Sequence, residues 1–127
     1  MPGFFISSDR CETDLNNLFP ERCVSGTLPL LEGTVRRNTL RSFMADKAFA
    51  ADAEGTVVSE GVILNKTELF CRYGCDNVSD LLRRMYAAQG ESFVRELRGP
   101  FSCALYIRAE ELWLIYTNPV GDEAVYY

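Results

Sequence analysis

The chain is 127 residues long, 47% hydrophobic and 24% charged, with a formal net charge of -5 and no histidine. That composition suits one ordered domain over residues 1–127, and the acidic balance argues against nucleic acid, whose phosphates require a clustered basic surface. Without histidine there is no Ser-His-Asp triad, no Cys-His pair and no imidazole metal ligand.

The amino end, Gly3-Phe4-Phe5-Ile6-Ser7, reads as a short apolar strand. It lacks a charged region followed by a long apolar stretch, and no window approaches the length of a membrane span. The expectation is a cytoplasmic protein, off the membrane, with its five cysteines reduced. Residues 8–32 read as loop, with Asp, Asn, Pro and Gly scattered through them. Residues 33–43 and 47–51 are candidate strands. The paired basic residues Arg36-Arg37 and Arg83-Arg84 read as solvated positions.

From Thr56 to Leu64 the chain is rich in β-branched residues, as a strand requires. Asn65-Lys66-Thr67-Glu68 has the form of a capping box, and predicts a short helix that carries Leu69, Phe70 and Tyr73 and stops near Gly74. A second helix is predicted from Val78 to Gln89, because Val78, Leu81, Leu82, Met85 and Tyr86 fall on one apolar face. A third, short helix holds Phe93 and Leu97. Two strands follow, Phe101–Ile107 and Leu112–Tyr116, joined by a polar turn at 108–111. The second is apolar on both faces and is expected to be covered on both. Asn118 to Asp122 reads as a turn, with a strand resuming at Ala124 to Tyr127.

Four segments in this order resemble the N-terminal glutaminase domain of asparagine synthetases and related class II glutamine amidotransferases. They are Glu60-Gly61-Val62-Ile63-Leu64-Asn65; Asp80-Leu81-Leu82 through Tyr86 and Gly90; Leu97-Arg98-Gly99-Pro100-Phe101; and Asn118-Pro119-Val120-Gly121 through Val125-Tyr126-Tyr127. The resemblance spans roughly residues 56–127, with weaker support from residues 3–6. It implies an α+β fold of the Ntn-hydrolase type, antiparallel sheets sandwiched between helices (αββα), here incomplete at the C-terminus.

In active members of that family a cysteine exposed by removal of the initiator methionine supplies both the nucleophile and, through its α-amine, the base. The corresponding residue here is Pro2, which has neither thiol nor hydroxyl. The family's asparagine, which donates to the oxyanion, is matched by Glu60, whose carboxylate would repel developing negative charge. Gly61 keeps its place and could present a backbone amide. The acidic residue that holds the substrate amine is matched by Val78, with Asp76 and Asp80 as neighbouring alternatives. The arginine that grips the substrate carboxylate is Arg36, Arg37 or neither. Pro2, Glu60 and Gly61 thus outline a vestigial substrate pocket with no catalytic residue.

These departures lead to the expectation of a degenerate glutaminase-like module, without cofactor or metal, that scaffolds or associates with an asparagine-synthetase-like, ATP-dependent amide ligase. No phosphate-binding Ser-Gly-Gly-x-Asp-Ser loop occurs in the sequence. Loss of terminal strands would leave sheet surface for a second copy or a partner chain to cover, so a homodimer is a further expectation. Two alternatives remain. One is an active amidotransferase or hydrolase with another nucleophile; Cys11 would take that place if processing followed Arg10, at the loss of the first strand. The other is a self-associating protein whose old pocket holds a different small ligand. The Cys71 and Cys75 pair reads as structural thiols, since its spacing does not match a zinc knuckle.

Overall fold

The computed structural model describes residues 3–8, 22–30, 33–120 and 125. The chain divides into two compact units, Met1–Met44 and Ala45–Tyr127. Both contain antiparallel sheet and the second adds helices, so the fold is α+β. No helix among the described residues is long and apolar enough to cross a membrane.

The described part of the first unit is a three-stranded sheet of β1 (Gly3–Ser7), β2 (Cys23–Pro29) and β3 (Thr34–Leu40), in the order β1-β3-β2. β3 is central, and Val35 and Thr39 on it are fully buried. β2 corrects the expectation of loop across residues 8–32. Its Ser-Gly pair and closing proline are poor strand formers, yet β3 supplies a continuous ladder partner from Cys23↔Leu40 to Pro29↔Thr34. Tertiary pairing overrides the local preference. Arg36 and Arg37 face Phe5 and Phe4 across the β1–β3 ladder, and both are half-buried rather than solvated.

The second unit is a four-stranded antiparallel sheet in sequential order: β4 (Phe49–Ala51), β5 (Gly55–Gly61), β6 (Phe101–Ile107) and β7 (Leu112–Thr117). Helices α1 (Lys66–Tyr73) and α2 (Val78–Gln89) and a 3-10 segment (Gly90–Glu96) lie in the connection between β5 and β6. The strand period of two sorts the side chains. Val57, Phe101, Cys103 and Leu105 form a core with Leu69, Val78, Leu81, Leu82, Met85 and Phe93. The other face of β5 and β6 carries Thr56, Val58, Glu60, Ser102 and Ala104, all buried. Phe93 is a keystone of the helical side, edge-on to Tyr86 and Tyr116 with ring centroids 6.3 and 5.3 Å away.

α2 occupies the span its periodicity predicts, and its apolar positions 78, 81, 82 and 85 are all buried. Asn77 caps it by accepting from the amide of Asp80 at 2.9 Å. The third predicted helix is instead the 3-10 segment, and Leu97 lies just beyond its end in extended conformation. β7 is the last strand in its sheet among the described residues, and Ile115 is 50% exposed, so the expectation of cover on both faces fails there. The strand expected at Ala124 to Tyr127 falls outside the described residues, Val125 excepted.

Candidate functional site

Glu60 is the penultimate residue of β5, on the face turned away from the helices. The strand leads into it because Thr56, Val57 and Val58 are β-branched and buried. Ser59, one residue earlier, fixes the neighbouring chain: its amide donates to the carbonyl of Ala48, and its hydroxyl accepts from the amide of Ala48 at 2.8 Å. That double link places Lys47 directly across from Glu60. The Lys47 ammonium stands 3.7 Å from Glu60 Oε2, and the two side chains are only 6% and 4% exposed. Lys66 and Asp46 form a second, closer pair at 2.7 Å, with Asp46 largely buried.

Burying two charges removes hydration worth several kcal/mol per ion, roughly, and the attraction between the two offsets part of that cost. Glu60 therefore cannot be the surface carboxylate that a strand end in isolation would suggest. Nor does it donate a hydrogen bond as the family's asparagine would, since an ionised carboxylate only accepts.

Gly61 follows with φ at +93°, a conformation that side chains rarely adopt. A β-carbon there would sit 2.2 Å from the carbonyl oxygen of Pro100. The close approach lets Val62 donate to that carbonyl at 2.7 Å, and Leu64 donates to the carbonyl of Arg98 at 2.8 Å. Gly61 thus carries a backbone requirement of its own, independent of any ligand.

Asn65 corrects the capping-box expectation. Its side chain makes no cap bond with α1. It instead donates to the carbonyl of Glu96 at 2.8 Å and accepts from the amide of Arg98 at 3.1 Å, which ties the start of the helix to the approach of β6. Glu68, the other half of the expected box, pairs with Arg72 at 2.7 Å.

The remaining expected site residues do not gather around Glu60. Val78 is buried in the helix–sheet core. Asp76 and Asp80 are exposed, and both accept from the side chain of Asn77. Arg36 and Arg37 belong to β3 of the first unit. Pro2 and Cys11 lie outside the described residues.

Among the described cysteines, Cys103 faces Tyr116 across the β6–β7 ladder. Burial pushes its thiol up to about 12, and the neighbouring Tyr116 hydroxyl acts in the opposite direction. The Tyr116 hydroxyl is raised well above its ordinary value, first by burial and then by Cys103. At neutral pH neither group is ionised, so Cys103 offers no thiolate. Cys71 is exposed on α1 and Cys75 is half-buried just after it, and both are free thiols. Among the described residues no group of three or more Cys, Asp or Glu could hold a metal ion.

Sequence reasoning identified Glu60 and Gly61 as neighbours but missed Lys47. The register that sets Ser59 against Ala48 also sets Glu60 against Lys47, and that register belongs to the fold rather than to any local sequence pattern. No family model matches the chain, and no curated protein matches it in sequence.

Proposed function

We propose that this chain is a catalytically degenerate glutaminase-like domain that scaffolds an asparagine-synthetase-like, ATP-dependent amide ligase. One observation carries the proposal. The residue that the resemblance assigns to oxyanion binding, Glu60, is a buried carboxylate matched to Lys47. The pair presents no net positive charge to a developing oxyanion, and the carboxylate would oppose it.

Three further features support this reading. Pro2 stands at the position that the resemblance gives to the nucleophile, and its side chain has neither thiol nor hydroxyl. Gly61 and Gly99 hold backbone contacts at both ends of the β5–β6 connection, so the fold can persist after the chemistry is lost. The α+β arrangement, with antiparallel sheets and helices packed on one of them, is compatible with the Ntn-hydrolase-like sandwich that the resemblance implies.

Two assays test the two halves of the proposal. The purified chain should release no ammonia from glutamine above buffer background; release that scales with enzyme would overturn the degenerate assignment. Affinity purification from the native host should recover a ligase with an ATP-pyrophosphatase domain, identified by mass spectrometry. Repeated recovery of the intact chain without such a ligase would overturn the scaffold role.

A further inference from the structure

Three surface clefts of the second unit differ in whether their charges are already paired. One of about 260 Å³ includes Arg83, Tyr86 and Glu110. There Arg83 binds Asp52, and the Tyr86 hydroxyl donates to Glu110 at 2.8 Å. A second, of about 200 Å³, is lined by Arg72, which bridges Glu68 and Glu96 at 2.7 and 3.0 Å, and also by Arg95 and Arg98. In the first cleft these groups answer one another, and in the second Glu68 and Glu96 are taken up by Arg72.

The third, of about 470 Å³, shares Arg95 and Arg98 with the second but has no carboxylate in its lining. Arg95 and Arg98 line it from the segment before β6, and Asn118, Pro119 and Val120 line it from the segment after β7. Both arginines are exposed, and neither side chain forms an ion pair or hydrogen bond among the described residues. Elsewhere in the described part of this unit only Arg108 is comparably unpaired. The rim is apolar: Val120 is 80% exposed and Leu64 is 73% exposed. Leu64 borders the cleft through Gly99, since its Cγ is 3.2 Å from where a Gly99 β-carbon would stand.

We infer that this cleft docks an acidic, leucine-rich peptide segment of a partner protein. Guanidinium groups recognise carboxylates through paired, charge-assisted hydrogen bonds. A small ligand would be enclosed over most of its surface, whereas here the most exposed apolar side chains stand on the rim. An extended segment crossing the cleft covers Leu64 and Val120 and sets carboxylates against Arg95 and Arg98. The nearby carboxylates Glu68 and Glu96 do not oppose this, because both are paired with Arg72, and charges beyond a screening length of roughly 8 Å contribute little at physiological salt. The inference rests on the cleft alone and stands whether or not the chain scaffolds a ligase.

Fluorescence anisotropy with a labelled dodecapeptide rich in Glu and Leu tests it on the full chain. Binding should weaken about tenfold or more in Arg95→Gln/Arg98→Gln, the loss of two charge-assisted contacts. It should weaken also in Leu64→Ser/Val120→Ser, and when Lys replaces Glu in the peptide. Circular dichroism matching that of the unaltered chain shows that the variants fold. Absence of binding, equal binding by the arginine variant, or full competition by free glutamate or inorganic phosphate at similar concentration would overturn the inference.

Discussion

Glu60 and Lys47 meet across two strands with both side chains nearly out of water. Removing one member of a buried ion pair is strongly destabilising, so Glu60→Ala should cost the chain about 3–5 kcal/mol. Replacing both, as Lys47→Met/Glu60→Leu, should be close to neutral. Urea unfolding of the three proteins checks this, and a double variant as unstable as the single one would refute the pairing. The identity of Glu60 was legible because it breaks a motif, but its partner was not, because no local period relates positions 47 and 60. A similar contrast governs the thiols. With its thiol pushed up to about 12 and its side chain buried, Cys103 should resist an aromatic disulfide reagent at neutral pH until the chain unfolds. Cys71, exposed on α1, should react at once; prompt labelling at Cys103 in the tryptic map would contradict the packing.

The two helices show what an element's sequence does and does not announce. α2 was legible from Val78 to Gln89 because its apolar residues recur at helical spacing over about three turns and so form one face. α1 was legible in extent, but its Asn65 was misassigned, since the same side chain can cap a helix or reach a distant backbone, and here Glu96 and Arg98 hold it. Asn77 performs the capping, on α2. Asn77→Ala should therefore cost about 1 kcal/mol in urea or thermal unfolding. Gly99→Ala should cost more, because at φ +121° its β-carbon would stand 2.3 Å from the Val62 carbonyl, which demands a backbone shift. β2 escaped the sequence reading for the opposite reason to α2: its residues favour a turn, and only the ladder to β3 makes them a strand.

Across the whole molecule, stability depends on pH through charges brought together from distant positions. Asp52 follows β4 and Arg83 lies on α2, and they form a surface pair. Burial acts to raise the Asp52 carboxyl, but the Arg83 hydrogen bond and charge, with the Glu54 and Gly55 amides, outweigh it and hold the group below its usual value. A depressed folded-state value means that this contribution is present above the unfolded value, about 3.9, and disappears as pH falls through the folded one. The stability gap between the chain and Arg83→Met should accordingly narrow in strongly acid solution; a gap that widened there would refute the assignment. The order of elements in the second unit was legible from periodicity and the α+β class was expected from the resemblance, whereas the pairing of charges was not legible, because it depends on sheet register. The central proposal is that the chain does not hydrolyse glutamine, with a carboxylate beside Lys47 at the position that the resemblance assigns to the oxyanion donor. Intact-mass spectrometry after incubation with a diazo-ketone analogue of glutamine tests it most directly. The expected spectrum shows the unmodified chain alone; a stoichiometric covalent adduct, blocked by excess glutamine, would contradict it.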